Sequence, residues 1–121
     1  MEILFSKEAE DDVIDMARYI SDANPAVAAE VFDMVWNTSQ LLASMPEIGT
    51  PIDSLLDTSE LGEDIQEILH AAPLLKGMRR FPVKKFRKLI IWYNVKGDAL
   101  HIERVLHGSR DIPVIFASTF R

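Results

Sequence analysis

The last third of the chain contains two strand-like segments joined by a tight turn, and this hairpin constrains the fold more than any other feature. Arg87 to Val95 is a nearly continuous apolar run, which is typical of a strand buried on both faces. Gly97-Asp98 supplies a two-residue turn. The second strand alternates in polarity, and its more apolar face is predicted to carry Leu100, Ile102, Arg104 and Leu106. The pattern therefore predicts an antiparallel pair that other elements must cover.

An amphipathic helix is predicted near the start of the chain, from Glu8 to Ser21. Its apolar residues recur at three- and four-residue spacing, and they are Ala9, Val13, Met16, Ala17 and Ile20. Ser6 can cap this helix. The acidic side chains of its first turns are stabilised by the positive, N-terminal end of the helix dipole. Adjacent acids such as Asp11 and Asp12 diverge on a helix, so we interpret them as solvated side chains and not as an acid–base pair.

A second helix is predicted to begin at Asn24-Pro25, an N-cap followed by a first-position proline, and to end near Met45-Pro46. Its inner stripe contains Ala28, Val31, Phe32, Val35, Ser39 and Leu42. Only Asp22 and Ala23 separate the two helices, so we expect an antiparallel helical hairpin.

The remaining elements complete an α+β fold. Short strands are predicted at Glu2 to Phe5 and at Met78 to Val83, with a short third helix from about Leu61 to Ala71 and a last strand or docking tail at Ile112 to Phe116. The prediction is an N-terminal strand and an α-helical hairpin packed on a small antiparallel β-sheet, with the short helix around residues 61–71 inserted. At 121 residues the chain is expected to form one domain, residues 1–121.

Charge divides the chain into two halves of opposite sign. Residues 1–68 carry 16 acidic and 2 basic side chains, whereas residues 69–121 carry 3 acidic and 11 basic ones, which leaves a formal net charge of −6. Seven of the basic residues lie between Lys76 and Lys88. This asymmetry indicates either sidedness of interaction or simply two oppositely charged surfaces of solvated side chains. A protein that wraps nucleic acid is more often basic overall. We therefore expect no direct binding of nucleic acid.

Other classes of site have little support in the sequence. The chain has no cysteine, and His101 and His107, although of the same strand parity, would lie about 20 Å apart at strand rise. We expect no metal site and no cofactor.

No apolar run is long enough to cross a membrane. The first residues have no basic region before an apolar core, so we expect no secretory signal and a cytoplasmic location.

Three blocks of the chain, in this order and spacing, resemble the toxin subunits of the RelE/ParE superfamily. The first, Ala9 to Ala29, reads A-E-D-D-V-I-D-M-A-R-Y-I-S-D-A-N-P-A-V-A-A. The second, Leu42 to Gly49, has the form L-x-x-x-P-x-x-G. The third is Arg79 followed by F-R-K-L-I-I-W-Y-N-V and I-E-R-V-L-H-G-S-R-D. The segment from Thr50 to Gly77 is longer than the usual connection of ParE-like chains, so it is where partner choice or assembly would differ.

The resemblance to ParE-like plasmid-stabilisation toxins implies the toxin of a type II toxin–antitoxin pair. Such a toxin is a non-enzymatic inhibitor, of DNA gyrase by resemblance, and forms a hetero-oligomer with a small antitoxin whose C-terminal segment lies across it. An acidic, apolar-studded peptide would suit the basic strand region. The residues predicted to bind antitoxin or target are Arg79, Arg80, Phe81, Lys84, Lys85, Phe86, Arg87, Trp92, Arg104 and Arg110.

Two other functions remain open at this point. RelE-type members cut ribosome-bound messenger RNA with basic side chains, and Arg110 aligns with one of them, helped by Lys84, Lys85 or Arg87. However, Ile90 and Phe116 stand where an arginine and a tyrosine would be expected. The other alternative is a family member that has lost toxicity but still binds an antitoxin-like peptide.

Some of the predicted binding residues also have structural interpretations. Arg104 and Arg110 could form ion pairs with Glu103, with Asp111 or with the acidic helices. Trp36 and Trp92 are more typical of core or rim packing than of a binding platform.

Overall fold

Two helices pack on a five-stranded sheet in the computed structural model, which describes residues 1–52 and 77–108. The elements in chain order are β1 (Glu2–Phe5), α1 (Lys7–Ala23), α2 (Pro25–Ser44), a single 3-10 turn (Pro46–Ile48), β2 (Thr50–Pro51), β3 (Arg79–Pro82), β4 (Leu89–Lys96) and β5 (Ala99–His107). The predicted α+β class and the N-terminal strand with its helical hairpin are confirmed. The helix predicted at 61–71, the last strand predicted at 112–116 and most of the Thr50 to Gly77 segment lie outside the described residues.

The ends of the two helices follow from the capping residues in the sequence. The Ser6 hydroxyl accepts a hydrogen bond from the backbone N–H of Ala9 at 2.9 Å, as an N-cap does. Asn24 serves both helices, because its N–H donates to the carbonyl of Ile20 and its side chain accepts from the N–H of Val27. One extended residue therefore ends α1 and begins α2, which confirms the predicted tight hairpin.

The strand order is β1-β5-β4-β3-β2. All neighbouring pairs are antiparallel except β1, which runs parallel to β5, so the sheet is mixed and not wholly antiparallel as predicted. A parallel pair is possible here because the whole helical hairpin lies between β1 and the remaining strands. The central strand β4 has buried side chains on both faces, with Ile91 and Tyr93 on the helix side and Trp92 on the other. This confirms the interpretation of the apolar run.

A β-bulge changes the face that the second half of β5 presents. Trp92 pairs with Arg104 whereas Tyr93 pairs with Ile102, so Glu103 is an extra residue on β5. Val105 therefore joins Leu100 and Ile102 in the core against the helices. The predicted face with Arg104 and Leu106 is wrong beyond Ile102, because simple alternation does not anticipate an inserted residue. The shared parity predicted for His101 and His107 fails for the same reason.

The core between helices and sheet contains most of the predicted inner stripes. In α1, Ala9, Val13 and Ala17 are buried. In α2 the buried predicted residues are Ala28, Val31, Val35, Ser39 and Leu42. Phe32 is the exception, since 46% of it is exposed. It follows Val31 by one position, about 100° around the helix, and so lies beside the buried stripe and not within it.

No helix in the described part of the chain is both long enough and apolar enough to span a membrane.

Candidate functional site

The bend after α2 is joined to the centre of the sheet by the hydroxyl of Tyr93. This hydroxyl donates to the carbonyl of Pro46 at 2.7 Å and accepts from the N–H of Gly49 at 2.9 Å. A Cβ atom at Gly49 would lie 2.7 Å from Tyr93 Cε1 and closer still to the hydroxyl, so no larger residue fits without movement. Burial raises the pKa of Tyr93, although the Gly49 hydrogen bond and the charge of Arg79 oppose that shift.

Arg79 holds the same bend from the neighbouring strand. It lies opposite Tyr93 in the β3–β4 register, and its Nη1 donates to the carbonyls of Glu47 at 3.1 Å and Gly49 at 2.7 Å. These bonds direct the guanidinium toward the backbone of its own chain. The Pro46–Gly49 bend, which belongs to the second sequence block, is therefore fixed by two side chains of the third block.

Arg104 connects the sheet to the first helix. Its Nε and Nη2 each lie 2.7 Å from a carboxylate oxygen of Asp12, a bidentate pair. The same carboxylate accepts from the N–H of Val105 at 3.0 Å. Both side chains are almost buried, at 13% and 11% exposed, and the hydrogen bond to Asp12 raises the pKa of Arg104. Asp12 is thus a structural partner and not the solvated acid that its sequence context predicts.

The segment Lys84–Lys88, which we name the basic loop, joins β3 to β4. Short backbone hydrogen bonds among Val83, Phe86 and Leu89 hold it in a tight turn. The N–H of Lys84 donates to the buried hydroxyl of Thr38 on α2. Lys85 has a φ of 77°, a left-handed conformation that costs a non-glycine residue about 1–2 kcal/mol. The backbone of the loop is therefore held in one conformation, and it carries four cationic side chains.

An apolar cavity of about 320 Å³ lies between the basic loop and the helical hairpin. Its apolar lining consists of Met16, Ile20, Val31, Phe86 and Leu89. Its charged rim consists of Lys85, Arg87 and Lys88, with His107 at the β5 side. Lys85 also forms an exposed ion pair with Glu30 on α2, at 2.6 Å. We name this arrangement the basic-rimmed cavity.

A second, more polar cavity of about 520 Å³ adjoins it and shares Met16 and His107. The Asp12–Arg104 pair forms part of its wall.

The ten residues predicted to bind antitoxin or target fall into separate groups. Lys85, Phe86 and Arg87 come together around the basic-rimmed cavity, with Lys84 beside them in the loop. Arg79 and Arg104 hold internal hydrogen bonds. Phe81 is half-buried against the core, and Trp92 is 2% exposed with the Arg80 guanidinium 6.0 Å from its ring centroid. Arg110 lies outside the described residues.

Three helix residues complete the cavity and were not predicted as site residues: Met16, Ile20 and Val31. Their helical spacing predicts burial, and nothing in it distinguishes a cavity wall from core. The structural role of Tyr93 and Gly49 was also not predicted, although both belong to the sequence blocks that carry the resemblance.

No group of three or more potential metal ligands occurs within residues 1–52 and 77–108.

Comparison with known proteins agrees with the fold and with the three sequence blocks. The model of the ParE toxin of the type II toxin–antitoxin system, parDE, matches residues 3–112. A solved chain from the chromosomal ParDE TA system of P. aeruginosa is similar in fold, with a TM-score of 0.60 and 15% identity. That similarity covers 88% of this chain and 95% of the solved chain. No curated protein sequence matches.

The family match spans all three blocks and nearly the whole chain, which confirms the resemblance drawn from the sequence. The chain belongs to the ParE toxin family of type II toxin–antitoxin systems.

Proposed function

We propose that this chain is a non-enzymatic, ParE-like inhibitor that acts in the cytoplasm, on DNA gyrase by family resemblance, and is neutralised by a small antitoxin. The proposal includes the antitoxin's mode of binding: its C-terminal segment lies across the basic-rimmed cavity. The observation that carries this part is an apolar cavity bordered by cationic side chains on a fixed loop.

The cavity suits one kind of peptide. Its apolar lining, which includes Ile20 and Phe86, would accept apolar side chains, and the guanidinium of Arg87 and the ammonium of Lys88 would attract carboxylates. Burial of the apolar side chains would supply most of the affinity, and the rim charges would mainly raise the association rate and set specificity. An acidic segment with apolar residues at helical spacing has both features.

The non-enzymatic part is supported by the engagement of several basic side chains within the described residues. Cleavage of RNA requires preorganised positive groups directed at the phosphate on which charge develops. Arg104 instead binds the carboxylate of Asp12, and Arg79 binds two backbone carbonyls. Lys85 is paired with Glu30. These groups stabilise the fold or the loop and are not directed together at one external point.

Expression of the chain alone tests the inhibitory function. Growth arrest with filamentation and DNA damage, together with loss of supercoiling by purified gyrase, is the expected result. Arrest with cut messages and intact gyrase activity would identify a ribonuclease instead. The absence of any arrest, from a chain shown to be folded, would favour a binding module without toxicity. Both of these outcomes contradict the proposal.

The binding mode is tested with the small protein encoded by the adjacent open reading frame. The double substitution Arg87→Glu/Lys88→Glu should weaken binding to that protein and restore growth arrest on co-expression. Because both side chains are exposed, the thermal stability of the toxin should not change. Lys7→Glu, an exposed charge reversal at the start of α1, is the control and should leave neutralisation intact. Equal binding by the double variant and the control would contradict the assignment of the basic rim.

A further inference from the structure

A second apolar surface is formed by the two helices together with the edge strand β1. It is a groove of about 460 Å³. Its apolar lining consists of Phe5, Val13, Ile14, Phe32, Val35 and Trp36. Phe32 and Trp36 are each 46% exposed and Ile14 is 39% exposed, so much of this lining faces solvent. None of the described residues lines both this groove and the basic-rimmed cavity.

Two aromatic side chains of this groove lie on one helix face, and one of them stacks on a third aromatic ring. Phe32 and Trp36 are four residues apart on α2 and therefore lie on one helix face. The Trp36 ring stacks with that of Phe5 on β1, with centroids 6.5 Å apart and planes 27° apart. The stacking positions Trp36 while leaving nearly half of it accessible. Contiguous exposed apolar surface of this kind marks interaction sites on soluble proteins more often than single exposed residues do.

The two charged residues that the structure describes at the groove are both acidic. Glu10 on α1 and Asp33 on α2 both line it, and both are exposed. Within residues 1–52 and 77–108, no lysine or arginine lines the groove. The groove is therefore an apolar floor with acidic edges, the reverse of the basic-rimmed cavity.

From this geometry we infer that the groove binds a cationic, apolar-studded segment of a partner protein. Apolar side chains of the partner enter between Ile14 and Phe32, and its lysine or arginine side chains meet Glu10 and Asp33. The face of Trp36 offers a further site for a cation. An acidic segment is disfavoured by the two carboxylates, and so is a second copy bound through the same groove, because like charges would oppose each other. This inference does not depend on the proposed function.

The test uses two designed helical peptides and the full chain. Both peptides carry leucines at positions i, i+3, i+4 and i+7; one has lysines at the flanking positions and the other has glutamates. Binding is followed by fluorescence anisotropy of a labelled peptide and by protection of Trp36 from iodide quenching. Trp92 is 2% exposed, so it contributes little to that quenching. The lysine peptide should bind and protect Trp36, and the glutamate peptide should bind at least roughly tenfold more weakly.

Matched variants locate the binding. Glu10→Lys/Asp33→Lys should reverse the preference between the two peptides. Asp15→Lys/Asp22→Lys makes the same change in charge at exposed residues outside the groove lining and should retain the preference for lysine. Trp36→Ala should weaken binding of the lysine peptide by about tenfold or more. Tyr19→Ala, which removes an aromatic side chain that is 79% exposed and outside the groove, should not.

Three results would overturn the inference. One is equal binding of both peptides, or of neither, by folded wild-type chain. Another is an equal effect of the two double charge variants. The third is self-association of the wild-type chain that protects Trp36 and is abolished by Trp36→Ala, since this would assign the groove to a second copy.

Discussion

The Pro46–Gly49 bend follows helix α2 and the basic loop follows strand β3, and polar groups are used in opposite ways in these two regions. At the bend, Tyr93 and Arg79 direct their polar atoms into backbone groups of the same chain. At the basic loop, the backbone is fixed by internal hydrogen bonds while the side chains of Lys84, Arg87 and Lys88 are exposed. Polar side chains form internal hydrogen bonds in the first region, whereas in the second region they are exposed to solvent.

This contrast separates residues that preserve the fold from residues that can meet a partner. Gly49, Arg79 and Tyr93 all belong to the sequence blocks that carry the family resemblance, and they meet one another in the structure. Arg104, which belongs to the same blocks, is likewise bound to Asp12. Several residues of the blocks that carry the family resemblance therefore serve to join the helices to the sheet. We expect the exposed surfaces, and not these structural residues, to determine which partner binds.

The largest effect is expected from Gly49→Ala, which disrupts the bend directly. The new methyl group would displace the Tyr93 ring and its two hydrogen bonds, at a cost of about 2–4 kcal/mol in the free energy of unfolding. Urea denaturation measures this change. Gly108→Ala is the control, because its Cβ would lie 3.4 Å from the nearest atom, and its effect should be small. Similar midpoints for the two variants would show that the bend is not rigid.

A slightly smaller effect is expected from Asp12→Ala. It leaves the nearly buried guanidinium of Arg104 without its bidentate partner and removes the acceptor of the Val105 N–H, which should cost about 2–3 kcal/mol. Asp11→Ala, at the adjacent exposed residue, is the matched control. Replacing both members of the pair in Asp12→Ala/Arg104→Met should recover part of the loss. Additive losses in the double variant would contradict a direct interaction.

Tyr93→Phe should cost about 1–2 kcal/mol near neutral pH, because two hydrogen bonds at the bend are lost. It should also change the pH dependence. The raised pKa of Tyr93 means that its contribution to stability is complete below about pH 10 and is lost as pH rises through the raised value. Urea denaturation at pH 8 and pH 10.5 should show a steeper alkaline loss for wild type than for the variant. Parallel losses would assign the alkaline transition to other groups.

The smallest effect is expected from Lys85→Ala in the basic loop. Its ion pair with Glu30 is solvent-exposed, so the loss should be at most about 0.5 kcal/mol and should shrink further at high salt. Lys85→Gly should be stabilising relative to Lys85→Ala, because glycine adopts the left-handed backbone at no steric cost. Equal unfolding midpoints for these two variants would mean that the loop relaxes out of its positive φ.

The helices were predictable because their signals are local. Ser6, Asn24 and Pro25 mark the helix ends, and the three- and four-residue spacing of apolar side chains marks the buried face of α1. The apolar run of β4 predicted burial on both faces in the same way. Phe32 was misassigned because the spacing defines a broad stripe, and only packing decides where its edge lies. Of the candidate site, the sequence predicted Lys85, Phe86 and Arg87 but not the helix residues that complete the cavity.

The sequence by itself determined the tight helical hairpin and the buried central strand, since each depends on residues close together in the chain. It also indicated the family, through three blocks of residues in a particular order and spacing. Only the tertiary structure decided that Arg104 meets Asp12, 92 residues away, and that Tyr93 meets Gly49 across 44 residues. The bulge at Glu103 and the exposure of Phe32 and Trp36 also depend on the tertiary structure. The physical reason is that local spacing sets which face a side chain occupies, whereas its partner is set by how separately formed elements approach one another.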